Sequence, residues 1–473
     1  MSIVYKTIWR YEWITFSRNK TQIVLLSTFF LFGVYAIFCG KTYIEGQRQT
    51  IVQLMEREVA EFESYTDSFQ NELVSKKAKQ LHDLASKPNY AWFRHGYHVI
   101  SYPHDYADLA IGQRDLYRYY YRLTGMGLQY QLYENEIANP FYLKIGNLDL
   151  SFMIIYILPL LIIVFCYSIY SGEKDLGILP LLRVQSVSIQ KILLIRLTFY
   201  FLLTTGLGLL LSLIGFLVSG GINGYVALVW SAVVIVYCTF WFGLLFFIIA
   251  FRQSTSFNAI SSVGAWVLIL MVIPAILNIT LDSIYPLNST EIAGLTRRTG
   301  LDDENDEEES KKVIAKFLKY RPEFAKENSS NNKNLMSKAY AAHTFLKDKD
   351  SRETIDRYNK TIYERSRWTS GFNWLNPAVT VQESLSRIVH TDLSNYLDFQ
   401  TELSSFHVQI TDFYFERLFM DKEITLEDYS NRPRFDPYYG RTDWYSVYLD
   451  TVIVALLAFI FFFRGILILK RAE

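Results

Sequence analysis

Long apolar runs alternate with long polar stretches along this chain. The runs lie near Gln22–Cys39, Leu150–Tyr170, Ile192–Val218, Tyr225–Phe251, Ala259–Ile279 and Val447–Phe463. Each is long enough to cross about 30 Å of hydrocarbon as a helix. The first has a polar leader of roughly 20 residues, no small-x-small cleavage pattern, and Phe38 in front of Cys39, so it is expected to remain as a span rather than be removed as a signal. The fold class predicted is an all-α polytopic membrane protein: six transmembrane helices with two large, mainly helical extracytoplasmic segments.

Basic residues orient the spans. Lys6, Arg10, Arg18 and Lys20 precede the first; Lys174, Arg183 and Lys191 lie between the second and third; Arg252 lies between the fourth and fifth; and Arg464, Lys470 and Arg471 close the last. The positive-inside rule then makes both termini cytoplasmic. The organisation expected is a cytosolic elbow helix (1–21), span one (22–40), an outer loop with a helical stalk (41–148) and span two (149–170). A cytosolic coupling element (171–191), spans three to five (192–279), a large outer domain (280–445), span six (446–467) and a cytosolic tail (468–473) follow. More than half of the chain is thus outer.

The outer segments have helical patterns. Ile51, Leu54, Val59, Phe62, Phe69, Leu73, Leu81 and Leu84 alternate with charges over Glu45–Ser86, which predicts a stalk continuing the first span. Tyr90–Tyr142 is rich in aromatics, expected to be packing groups. An acidic run, Asp302–Glu309, lacks calcium-loop spacing and is expected to be a solvated helix start or loop. Helices are expected to about Trp368, then near Val379–Val389 and Asn395–Met420. The stalk stripe is expected to dock on Ile314, Phe317, Leu318, Leu385, Ile388 and Phe399, joining both outer segments in one module.

Composition narrows the function. Hydrophobic residues make up 51% and charged residues 20%, with 47 Lys plus Arg against 47 Asp plus Glu, which excludes a disordered chain and a basic nucleic-acid binder. The three cysteines all fall in apolar runs, excluding a disulfide framework and a Cys-based zinc site. His95, His98 and His104, with Asp105 and Asp108, are expected to be surface and interface groups rather than metal ligands. The acid in the apolar runs, Asp450, sits where the outer end of span six can reach water, and Lys191 and Arg196 can snorkel at the inner end of span three. With no carboxylate near the bilayer centre, ion-coupled transport is disfavoured. No P-loop, H-E-x-x-H or G-x-S-x-G occurs, so no catalytic residue is assigned and any power comes from another chain.

Three elements carry a resemblance. Ser171-Gly-Glu-Lys-Asp-Leu-Gly-Ile-Leu-Pro-Leu-Leu-Arg continues to Lys191. It offers Glu173 at its start, Gly177 for a sharp approach, an apolar face including Leu179, Leu181 and Leu182, and a stiffening Pro180. The N-terminus sets Trp9 and Trp13 among Arg10, Glu12 and Arg18, the pattern of an interfacial helix. Outside, Pro377, Ser384, Thr391-Asp392 and Phe399 are spaced as Pro-x(n)-Ser-x(n)-Thr-Asp-x(n)-Phe. The chain resembles the type-2 ATP-binding-cassette permeases: their E-[KR]-x-x-G start and Leu-Leu pair, their elbow with Glu and Arg-Asn, and the outer motif of a subfamily known as domain of unknown function 3526. Ile178, Leu179 and Val184–Val187 depart from the usual coupling sequence.

The resemblance implies a permease subunit of the bacterial inner membrane, an exporter that binds no cofactor itself. ATP and magnesium would sit on a partner cytosolic ATPase dimer, with a second permease copy or paralogue beside this one. A periplasmic protein receiving the motion without any substrate crossing, or a receptor or scaffold without transport, are the alternatives. The lipid bilayer is a partner in every case and nucleic acid in none.

Overall fold

The computed structural model describes residues 3–70, 72, 74–133, 148–177, 188–287, 307–325 and 334–471. It is about 79% helical with almost no sheet. The elements are α1 (Ile3–Arg18), α2 (Lys20–Asp67), α3 (Lys76–Ser86), α4 (Pro88–Arg94), β1 (Tyr97–Ile100), β2 (Tyr120–Leu123) and α5 (Leu128–Tyr133). Then come α6 (Leu150–Asp175), α7 (Ile189–Val218), α8 (Gly224–Ala250) and α9 (Thr255–Ile284). The last are α10 (Glu307–Leu318), α11 (Leu335–Gly371), α12 (Pro377–Ile388), α13 (Leu393–Phe419), α14 (Leu426–Ser430) and α15 (Trp444–Arg471). Among the described residues six helices, α2, α6, α7, α8, α9 and α15, are long and apolar enough to cross a membrane, the mark of a multi-pass membrane protein.

The bundle has two distinct ends. At one, Lys174 Nζ donates to the Arg252 carbonyl, Arg252 donates to the Leu469 carbonyl and Thr255 donates to Asp175, so the basic junctions and the chain's end gather beside α1. At the other stands a head made from the segments between α2 and α6 and between α9 and α15. There the Tyr225 ring packs on Trp444 at 4.7 Å and its hydroxyl meets that of Tyr448. Amphipathic rings of this kind belong at a membrane–water boundary.

Helix α2 is 48 residues long, about 72 Å at 1.5 Å per residue. It leaves the bundle without a break and continues into the head, as the stalk pattern predicts. The stalk does not reach Ser86 as one helix. It ends at Asp67, and Ser75 caps α3 by accepting from Ala78 N at 3.0 Å, a local bond that starts a new helix rather than prolonging the old one. Leu73 lies outside the described residues, as do Asp302–Asp306 of the acidic run. Glu307–Glu309 form the first turn of α10, where carboxylates suit the helix dipole, and Glu307 and Glu308 pair at i,i+4 with Lys311 and Lys312.

The aromatic stretch contains one element that the helical expectation missed. β1 and β2 pair antiparallel, Tyr97 opposite Leu123 and Ile100 opposite Tyr120, so two of the three consecutive tyrosines lie in a strand. Alternating burial on so short a pair is a weak sequence signal. The aromatics are packing groups, joined in edge and stacked pairs.

The two head segments share one core. Phe62 of the stalk packs on Tyr97 and Tyr429, while Phe317, Phe415 and Phe419 stack across α10 and α13 within the same cluster. At its centre His95 Nε2 donates to the Leu84 carbonyl at 3.0 Å, which makes Nδ1 the acceptor for the Tyr414 hydroxyl at 2.9 Å. Tyr414 in turn accepts from Tyr97 at 2.8 Å. Leu128 N donates to Asp348 on α11. His98 instead pairs with Glu58, His104 packs on His390, and Asp108 accepts from Ser219, so the His and Asp side chains of this stretch are dispersed over separate sites. Among the described residues no three metal-ligating side chains come together.

Two stalk partners are corrected. Leu385 and Ile388, expected against the stalk, belong to the bundle core together with Ala378 and Val381, because α12 packs on α8 and α15. Ile314, Phe317 and Phe399 do share the stalk's core.

The head meets the bundle at very short range. A Cβ on Gly40 of α2 would overlap the backbone carbonyl of Asp108, and Gly215 of α7 lies against Leu109. Gly215 and Ser219, a small-residue pair, are therefore used within the chain. Gly40→Ala should weaken the fold by about 1–3 kcal/mol through overpacking, whereas Gly46→Ala, with nothing near, should stabilise it by about 0.5–1 kcal/mol. Opposite shifts of the thermal midpoint in detergent are expected, and equal shifts would refute the close approach.

Acid should also weaken the head. Burial lowers the pKa of His95 to about 3 and of His407, whose Nε2 donates to Met126, to about 4. Both stay neutral in the fold while the unfolded chain takes up protons below about 6.5, so stability is lost as pH falls from there toward the folded values. Asp348, raised by burial to about 6, works in the opposite direction over part of this range. Subtracting the response of His407→Gln, which keeps a donor to Met126, isolates the His407 share. That share is expected to be about 2 kcal/mol between pH 7 and pH 5, and a variant with the wild-type pH response would refute it.

Candidate functional site

Arg196, near the start of α7, is the centre of a charged node. Its Nε lies 2.5 Å from Glu12 Oε1 of α1, and its Nη1 pairs with Glu173 and donates to the Ile169 carbonyl at 3.1 Å. Glu12 is only 1% exposed, and burial pushes its carboxyl up against the pull of Arg196. Taking a carboxylate out of water costs several kcal/mol unless a cation repays it, so the guanidinium is what allows Glu12 to lie there. The sequence placed Arg196 as a snorkelling residue; it is clamped instead between two acids from two other elements.

Aromatic packing completes the joint. Trp9 meets Phe199 edge-on at 5.3 Å, and Trp13 lies 6.4 Å from the same ring while more than half exposed. Arg10 and Arg18 are exposed, and Lys191 lies over the Tyr5 ring at 5.7 Å. Gly177 has φ +71°, a left-handed turn natural to glycine, directly after the short helical turn that holds Glu173. Leu179, Pro180, Leu181 and Leu182 lie outside the described residues. Beside Glu173 and Arg196 a small groove is lined by Ile169, Tyr170, Ile189 and Ile192.

The second charged cluster is at the opposite end. Asp450 of α15 is 3% exposed and lies 2.5 Å from Arg387 Nη1 of α12; Ser384 Oγ donates to it at 3.4 Å, and Arg387 Nη2 reaches Glu383 at 2.9 Å. Asp450 is thus sealed under the head by an arginine rather than open to water as its position near the span's end suggested. The other outer-motif residues serve the joint around it. Pro377 opens α12 behind the cap Asn376, Thr391 Oγ1 donates to the Ala110 carbonyl at 2.8 Å, Asp392 caps α13, and Phe399 is core. The turn between the two helices is made by His390 at φ +57°.

Residues 291–438 match a family described as Domain of unknown function (DUF3526), a span that includes the outer motif and most of the second head segment. No curated protein and no solved structure matches the chain.

Removing the cation should unmask the node. Arg196→Met leaves the buried Glu12 carboxylate beside the half-buried one of Glu173 and is expected to cost about 3–5 kcal/mol. Adding Glu12→Gln and Glu173→Gln should return most of the lost thermal midpoint; a triple variant as unstable as Arg196→Met alone would show that the ion pairs are not the cause.

Proposed function

We propose that this chain is the permease subunit of an ATP-binding-cassette transporter of the type-2 class, driven by a separate cytosolic ATPase dimer. The observation that carries the reading is the Arg196 node. It fastens an interfacial N-terminal helix, the start of the 171–191 element and the base of a span into one joint, so a push on the short element is delivered to three elements at once. The family match over 291–438 supports the outer part of the same resemblance. In this reading the charged end faces the cytosol of a bacterial cell, with both termini inside, and the head lies outside the inner membrane. A second copy or a paralogue completes the assembly, and ATP and magnesium are held by the ATPase.

A second version is favoured by α2. A continuous helix from elbow to head transmits displacement across its whole length, which suits motion passed to an outer protein with nothing crossing the bilayer. A receptor or scaffold without an ATPase is the remaining alternative.

The test is association and coupling. Purified in mild detergent with its ATPase and reconstituted, the permease should change the ATPase rate. Glu173→Ala, or Leu181→Asp with Leu182→Asp, should abolish that change or release the ATPase while the protein still inserts. Wild-type stimulation by these variants would sink the assignment, and a chain that never retains an ATPase would favour the receptor reading.

A further inference from the structure

The seam between head and bundle contains a cavity of about 390 Å3, much larger than the groove beside the charged node. It lies where α6 begins, and its wall combines two kinds of surface. Asp115, Ser386 and Gln382 supply a carboxylate, a hydroxyl and an amide; Phe152 and Tyr156 supply two rings stacked at 5.0 Å and 24°. Asp149 also borders the wall, but its carboxylate already accepts from Phe152 N, Ser151 Oγ and Ile111 N as the cap of α6. Among the described residues no Lys, Arg or His lines it. The nearest arginine in sequence, Arg114, is turned elsewhere: Nε donates to Gln47 Oε1 at 3.0 Å and Nη2 to the Ser101 carbonyl at 2.9 Å.

The backbone here is unusual too. Met153–Ile157 forms a π-helical turn, a form that is rare and concentrated at functional sites. Two side chains from other spans hold it, Tyr237 donating to the Ile155 carbonyl at 2.8 Å and Trp266 Nε1 to the Tyr156 carbonyl at 3.1 Å. The turn brings Phe152, Ile155 and Tyr156 to the same wall. Phe152, on the apolar side of the cavity, is 38% exposed.

We infer that this cavity is a binding site for an amphiphilic organic cation, a protonated or quaternary amine joined to an apolar chain or ring. Carboxylates and ring faces are the two groups that attract such a head, and each attracts it more strongly away from bulk water. The apolar body would lie along Phe152 toward the surface of the bundle. Anionic amphiphiles meet the Asp115 carboxylate and are repelled, so the site discriminates by charge. The ligand can come from the bilayer, as an aminophospholipid, or from solution, as a cationic amphiphile. The inference goes beyond the permease reading and needs no ATPase, so either can fail without the other.

The test uses the full chain alone in neutral maltoside micelles and a photoactivatable long-chain alkyltrimethylammonium as probe. Labelling is expected on 149–156 and 382–386. It should fall at least tenfold in Asp115→Asn and in Phe152→Ala, both compared at matched thermal midpoints. The alkyl alcohol and alkyl sulfate of equal length should not compete on the wild-type protein, a measurement that needs no variant. Competition by added phosphatidylethanolamine would identify a bilayer source, and competition only by soluble alkylammonium a soluble one; both support the site. Equal competition by the alcohol or the sulfate, labelling outside the cavity, or labelling unchanged in both variants would overturn it.

Discussion

A carboxylate taken out of water in the shell of an apolar helix bundle is costly unless a cation or several hydrogen-bond donors lie against it, and the Asp450 joint at the seam of this protein is built on that constraint. Asp450 belongs to α15 and Arg387 to α12, so the bond that satisfies the acid also nails the head's motif helix to the last span. Replacing either partner by itself would strand a buried charge, a larger penalty than the pair's net gain. Ser384, His390, Thr391 and Asp392 then follow as necessities: a hydroxyl beside the acid, a left-handed turn, a tie to the Ala110 carbonyl and a cap for α13. The outer motif is largely the local grammar of this joint.

The same principle acts twice, at opposite ends of the bundle. Arg196 reconciles Glu12 and Glu173 as Arg387 reconciles Asp450 and Glu383. In both places an arginine bridges two acids from its fixed fork, which a lysine's single ammonium would not do in the same geometry. Between the two nodes, α7 and α15 run as apolar helices, with close packing instead of charge. Gly243 of α8 illustrates this, since a Cβ there would come 2.9 Å from the Ala458 carbonyl.

Spans, stalk and the helices of the second head segment were legible because each is a long segment with one strong period. What was not legible depends on pairs distant in sequence. Glu12 and Arg196 were each visible as charges in apolar surroundings, yet nothing local tells that they touch. Asp450 was visible as an acid in a span, but its partner Arg387 lies 63 residues away, in a segment that periodicity assigned to the stalk's core. Leu385 and Ile388 were misassigned for the same reason: an amphipathic face shows that it will be buried and not against what. The β1–β2 pair was too short to compete with the aromatic density around it.

The head's shared core has a consequence for how the chain is made. Tyr97 and Tyr414, which bond at its centre, are 317 residues apart, and four apolar spans are synthesised between them. At roughly 5–20 residues per second the first half waits about 15–60 s for its complement. Through that interval Phe62, Trp92 and Tyr97 have no opposite wall. Biogenesis must shield this aromatic face, whether by chaperones or by the membrane surface itself, and a cell short of that shielding would lose the protein to aggregation before any of its mature contacts could matter.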